Sequence, residues 1–129
     1  MPEESYPKIV IKPWGKEIWL ELNDAYCYKR LYINAGHRTS LQYHEKKRET
    51  NYIIEGQAEV WIENEKGEVE IKSMVTDDFF NVKPFKKHRV VAVTDLILQE
   101  VSTPEVDDVI RIEDDTQRPD GRIAAEHIN

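Results

Sequence analysis

Hydrophobic and polar positions alternate along most of this chain with a period of two. Ala58, Val60 and Ile62 alternate with Gln57, Glu59, Trp61 and Glu63, and Val69 and Ile71 alternate with Glu68, Glu70 and Lys72. That period sends one set of side chains to the inner face of a half-buried β-strand and the other set outward. The loop Asn64-Glu65-Lys66-Gly67 joins the two runs as a hairpin with a glycine in its turn. Further strand-like runs cover residues 8–12, 17–22, 26–34, 50–55, 78–82, 89–94 and 96–102. Between them, Pro13-Trp14-Gly15, Asn23-Asp24, Ala35-Gly36, Glu55-Gly56 and Thr94-Asp95 read as turns. A helical period is absent, except for a short helix expected near residues 103–109. Many short strands at regular spacing predict an all-β barrel or sandwich. No linker, repeat or low-complexity segment divides the chain, so residues 1–129 are expected to form a single domain. Its core is expected over about residues 8–115, with a polar, loosely docked C-terminal tail from about Pro119.

A chain of 129 residues is long enough to bury roughly two thirds of its unfolded surface in one core. The net charge of −7 argues against a nucleic-acid partner, because no basic excess exists to neutralise phosphates. No long apolar run and no N-terminal hydrophobic region point to a membrane. The one cysteine, Cys27, lies in a strand-like run and reads as a small buried hydrophobe in a protein of the reducing cytoplasm.

Chemistry concentrates in one stretch. Gln42 and His44 are two apart, so on a strand both leave the same face, with Ser40 and Arg38 further along it. Glu49 follows a basic loop, Glu45-Lys46-Lys47-Arg48, and a second imidazole, His88, arrives about forty residues later. Polar side chains aimed into a small barrel need a reason. One carboxylate, two neutral imidazole nitrogens and a carbonyl oxygen make a ligand set for one divalent metal, zinc first, with manganese, iron, cobalt or nickel as alternatives. The basic loop reads as a solvated segment, although it and Lys86, Lys87 and Arg89 flank these ligands where an anionic substrate would approach. His37 reads as a solvated turn residue and His127 as part of the tail.

Gly36, the Gln42/His44 pair, Glu49 and Gly56 resemble the first motif of the cupin superfamily. Glutamine at the first ligand position resembles more narrowly the type II mannose-6-phosphate isomerase cupins, the C-terminal domain type of mannose-1-phosphate guanylyltransferases. Lys12-Pro13-Trp14-Gly15, Tyr28-Lys29-Arg30-Leu31, Thr39-Ser40-Leu41-Gln42-Tyr43-His44 and Asp107-Asp108-Val109-Ile110-Arg111 with Asp114 are similar to that family in order along the chain. The resemblance implies a double-stranded β-helix, the cupin jelly-roll barrel. Three departures stand out. Thr50-Asn51 replace His-Trp after the glutamate, Phe85 replaces a glycine before His88, and Thr116-Gln117-Arg118 stand for Tyr-Gly-Arg. Phe85 is expected near the pocket mouth.

The resemblance implies a metal-dependent sugar-phosphate isomerase or epimerase with Gln42, His44, Glu49 and His88 on the metal. Glu49 is the anionic ligand, and Lys29 and Arg111 are candidates to hold a phosphate, alongside Arg30 and Lys87. Strand alternation prevents Lys29 and Arg30 from both pointing inward. The alternatives are a non-catalytic metal- and carbohydrate-binding cupin and an iron(II) dioxygenase, against which Gln42 as fourth ligand weighs. The resemblance also implies a homodimer. Trp19, Tyr26, Tyr28 and Tyr32 are candidate contact positions, and the segment holding Tyr6 and Ile9 to Ile11 is a candidate exchanged strand.

Overall fold

Eleven β-strands and one short 3-10 turn make up the regular structure of the computed structural model, which describes residues 5–127. In chain order the strands are β1 (Lys8–Lys12), β2 (Gly15–Leu22), β3 (Cys27–Ile33), β4 (Leu41–Tyr43), β5 (Glu49–Glu55) and β6 (Gln57–Glu63). They continue as β7 (Val69–Val75), β8 (Phe79–Val82), β9 (His88–Ala92), β10 (Leu96–Ser102) and β11 (Ile110–Glu113). All pairings are antiparallel. A six-stranded sheet runs β1-β2-β3-β10-β5-β8, and a five-stranded sheet runs β11-β4-β9-β6-β7. From β3 onward the chain crosses between the sheets at every connection except the β6–β7 hairpin, which gives the expected all-β jelly roll. Within the described chain β1 pairs with its own β2, Ile9 opposite Ile18.

The barrel interior changes character along its strands. On β3 the inward residues are Cys27, Lys29, Leu31 and Ile33, and on β10 they are Leu96, Leu98, Glu100 and Ser102. Register aligns Leu98 with Leu31 on one side and Ile53 on the other, and aligns Glu100 with Lys29 and Asn51. One half of the barrel is therefore an apolar core of Trp14, Leu31, Ile53, Val60, Val90, Leu98 and their neighbours. The other half is lined by buried charged and polar groups.

Three expectations are corrected. Residues 103–109 form turns, because the backbone there is tied by Val106-to-Pro104 and Asp108-to-Glu105 bonds instead of a helical ladder. On β7 the apolar set faces out: Ile71 is 58% exposed and Val75 51% exposed. The register places Met74 opposite inward Ala58 and Ile71 opposite outward Trp61, so cross-strand pairing with an aromatic replaces burial in the core. Trp19, expected outside, is buried at 3% exposure. The Asn64–Gly67 loop forms as expected, with the Asn64 side-chain oxygen accepting from Lys66 and Glu68.

Gly15 opens β2 with φ +152°, and an added Cβ would lie 2.0 Å from the Tyr32 carbonyl oxygen. The obstacle is backbone, which cannot rotate away. Gly15→Ala is expected to lower unfolding stability by at least about 3 kcal/mol, from overpacking and backbone strain together. Urea denaturation checks this, and a loss below about 1 kcal/mol would show that the strand shifts freely.

Candidate metal centre

His44 follows β4, Glu49 opens β5 and His88 opens β9. Gln42 lies opposite His88 in the β4–β9 pair, so the two hairpins meet with these side chains inside the polar half of the barrel. His44, Glu49 and His88 are all buried, and one donor atom of each lies within 4.8 Å of the others. Nε2 of His44 is 2.9 Å from Glu49 Oε1, and Nε2 of His88 is 3.5 Å from the same oxygen.

The tautomers follow from the outer contacts. Nδ1 of His44 lies 2.6 Å from the Asp108 carbonyl, and Nδ1 of His88 lies 3.0 Å from the Lys86 carbonyl. A carbonyl oxygen only accepts, so each Nδ1 donates to its carbonyl, and in its neutral form each ring then turns an Nε2 lone pair toward Glu49. Nε2 of His88 is buried without a hydrogen bond. Two lone pairs and a carboxylate oxygen facing one another repel unless a cation lies among them. This donor set fits one divalent ion, with the Nδ1–carbonyl bonds fixing the rings as second contacts do in metal sites.

Gln42 lines the same cavity, its Oε1 accepting from Ser40 Oγ at 3.3 Å. Lys47, expected in a solvated loop, is only 5% exposed and projects inward. Its Nζ is 3.1 Å from Glu100 Oε2 and 3.7 Å from Glu49 Oε1. Burial would raise the Glu49 carboxyl, but the Lys47 ammonium beside it holds it well below the usual range. Its other oxygen accepts from Asn51 Nδ2 at 2.8 Å, so Asn51 orients the carboxylate. Lys29 points inward and Arg30 outward; Lys29 Nζ is 3.6 Å from Glu17 and 4.4 Å from the centre of the Trp19 ring. Glu17 also accepts from Trp19 Nε1, and although burial opposes it, Lys29 and Lys12 lower its pKa to about 2.

The other basic residues flanking the ligands lie elsewhere. Lys87 is exposed, Lys86 bonds the Asn64 carbonyl, and Arg89 packs over Trp61 and donates to the Thr39 carbonyl. Phe85 sits outside the cavity lining, 60% exposed and stacked on Tyr43. His37 is exposed. His127 instead lines the cavity, edge-on to Trp19. Arg111 lines it too, but its Nη1 donates to the carbonyls of Pro119 and Gly121.

Asp108 was the quietest of these residues in the sequence. Its carboxylate accepts backbone N–H bonds from Glu45, Lys46 and Lys47 while its carbonyl holds His44. It thus fixes the reversal that carries His44 and Glu49 together. Asp108→Ala is expected to weaken divalent-metal binding by about 10–100-fold while leaving all donors present. Metal titration measures this, and unchanged affinity would remove Asp108 from the centre.

The cavity bounded by these residues measures about 80 Å³. Its lining among the described residues carries the cations Lys12, Lys29, Lys47, Arg111, Arg118 and Arg122 against the acids Glu17, Glu49, Glu100 and Asp107. So many cations gathered at one place in a chain of net charge −7 suit an anionic ligand.

A family model for the mannose-6-phosphate isomerase C-terminal region matches residues 3–114. The chain belongs to that family. Its fold is shared with solved cupin structures of low identity. KdgF from Halomonas sp. aligns with TM-score 0.63 at 18% identity, over 72% of this chain and 83% of that one. An RmlC-like cupin from Shewanella frigidimarina aligns with TM-score 0.66 at 22% identity, over 81% and 92%. Oxalate decarboxylase from Bacillus subtilis aligns with TM-score 0.73 at 17% identity, over 82% of this chain and 30% of that one. No curated protein matches the sequence. The cupin fold is therefore common ground, while the chemistry rests on this chain's own residues.

Proposed function

We propose that this cupin is a metal-dependent isomerase of a phosphorylated sugar, with Gln42, His44, Glu49 and His88 holding one divalent ion. The observation that carries the reading is the convergence of three buried acceptor atoms beside a cavity, lined by His44, Glu49 and Gln42, whose walls are rich in cations. When bound, a divalent ion supplies Lewis-acid stabilisation of the negative oxygens that develop as carbonyl and hydroxyl exchange positions. Aldose–ketose interconversion moves one proton from the hydroxyl-bearing carbon to the carbonyl carbon and one from the hydroxyl to the carbonyl oxygen, with no net change in composition. Glu49, engaged by two imidazoles, is a ligand and a poor base. Glu17, held at about pKa 2 chiefly by Lys29 against its burial, is a weak base as well. Asp107 is exposed and paired with Arg122, so Glu100, inward beside Lys47, is the lining carboxylate left to carry the carbon-bound proton. Lys29 is assigned to the substrate's oxygens, and Arg111 to holding the cavity wall through Pro119 and Gly121.

The test is interconversion of mannose 6-phosphate and fructose 6-phosphate by the metal-loaded chain before and after chelation. Turnover that persists after metal analysis shows the ion gone would overturn the reading. A second reading, a non-catalytic metal- and carbohydrate-binding cupin, gains support from the cavity's size, since about 80 Å³ is well below the roughly 300–1,000 Å³ of ordinary ligand pockets. Sugar-phosphate binding by calorimetry without turnover would select it. Either reading is compatible with a homodimer through the outer face of the six-stranded sheet, where Ile9, Ile11, Phe79 and Val101 are exposed.

A further inference from the structure

The segment from Asp114 to His127 turns back across the cavity and is held chiefly by polar contacts. Arg111 grips the carbonyls of Pro119 and Gly121, and Arg122 bonds Asp107 at 2.8 Å. The segment ends in the 3-10 turn Ala124–Glu126, which buries the Glu126 carboxylate at 8% residue exposure. One oxygen of that carboxylate is 2.8 Å from Lys12 Nζ, and the other is 3.2 Å from Arg118 Nη1. Both cations belong to the cavity lining, and Gly121, Ile123 and His127 of the same segment form part of its wall.

We infer that Lys12 and Arg118 form a subsite for the oxyanion of the cavity's ligand, a phosphate or carboxylate, and that Glu126 occupies this subsite in the closed molecule. Two cations from distant parts of the chain, each engaging one oxygen of the same group, make a fork that a phosphate matches as well as a carboxylate does. The fork is built to survive withdrawal of the last part of the segment, residues 121–127. Asp114 accepts from Arg118 Nε at 3.0 Å and from Nη2 at 2.8 Å, which leaves Nη1 presented outward whether or not Glu126 is there. Asp114 also accepts from the Arg118 backbone N–H, fixing the turn that carries the guanidinium.

Size supplies the reason for displacement. A space of about 80 Å³ is well below the roughly 300–1,000 Å³ of ordinary ligand pockets and is too small for a sugar phosphate as it stands. A larger ligand enters only if the wall formed by Gly121, Ile123 and His127 moves, and moving it withdraws Glu126 from Lys12 and Arg118. The ligand's own anion then replaces the carboxylate, so opening leaves neither cation unpaired. The self-occupied state lowers the apparent affinity for an outside anion by the fraction of molecules that are open. This inference rests on the reading that the cavity holds the ligand, but not on the metal.

The test is calorimetric titration of the full-length, metal-loaded chain with inorganic phosphate. Glu126→Gln is expected to bind phosphate at least tenfold more tightly than the parent, because a neutral amide competes poorly for the two cations. Glu126→Asp, one methylene too short to bridge both cations, is expected to change in the same direction and serves if the glutamine variant does not fold. Adding Lys12→Met to Glu126→Gln is expected to erase the gain. His44→Ala, which removes a metal donor, is expected to lose metal and yet show the same phosphate response to Glu126→Gln; unchanged metal content in His44→Ala would count against the metal centre alone. Equal affinity in parent and Glu126 variants, a gain that survives Lys12→Met, or no phosphate binding in any variant would each overturn the proposal.

Discussion

Glu49→Gln is expected to abolish stoichiometric binding of a divalent ion. The substitution keeps the side chain's shape and its contact with Asn51 Nδ2, but removes the negative charge that touches both imidazoles. Outer contacts of metal ligands alone account for about 10–100-fold in affinity, so loss of the charged donor itself is expected to exceed about 100-fold. The consequence is measurable without any assay of catalysis. At metal concentrations a hundredfold above the parent's dissociation constant, the parent gains about 2.7 kcal/mol of stability from the ion, and Glu49→Gln gains less than about 0.4 kcal/mol. Thermal or denaturant unfolding with and without metal reads the difference, and elemental analysis checks occupancy. A Glu49→Gln chain that still carries one ion and still gains stability would refute the centre. The same experiment with Asn51→Ala is a graded control, because it releases the carboxylate's second oxygen without removing charge.

How much of this was legible in the sequence depends on the range of the interactions involved. Strands announce themselves by period two, and the phase of β4 brings Gln42 and His44 to one face with no tertiary information. His88 at the start of β9 joins them because Gln42 pairs with it directly. The inverted phase of β7 could not be read, since Val69 and Ile71 alternate as a core strand does. Only the pairing of Ile71 with Trp61 at the sheet edge shows which face is outward. Lys47 was hidden for another reason: it sits among Glu45, Lys46 and Arg48, a composition that reads as solvated. Its inward turn is imposed by Asp108, sixty residues distant, through three backbone bonds. The alignment of Lys29, Glu100 and Asn51 across three strands is likewise a property of register between segments far apart in the chain. The C-terminal strap is polar throughout, so its docking leaves no hydrophobic signal; it is held by Lys12, Arg111 and Arg118, whose partners no local pattern names.

Lys47→Met is expected to be the most destabilising single change in the polar half of the barrel, at about 3–5 kcal/mol in the metal-free chain. Lys47 is 6% exposed at its side chain and is the cation shared by Glu49 and Glu100, whose side chains are 5% and 7% exposed. Burial works against its charge, yet Glu100 and Glu49 push its pKa above the ordinary lysine value. Methionine fills similar space but leaves two buried carboxylates facing a cavity with their common partner gone. The cost is thus set by uncompensated charge and not by a packing defect. Two further measurements separate these causes. Divalent metal supplies positive charge beside Glu49, so the destabilisation by Lys47→Met should be markedly smaller in saturating metal than in its absence. Lys47→Met combined with Glu100→Gln should recover part of the loss, giving a coupling of about 0.5–3 kcal/mol between the two positions. Packing alone would give equal losses with and without metal and additive effects in the double variant. That outcome would mean that Glu49 and Glu100 are satisfied independently of Lys47, and that the buried charges are not organised around the metal centre.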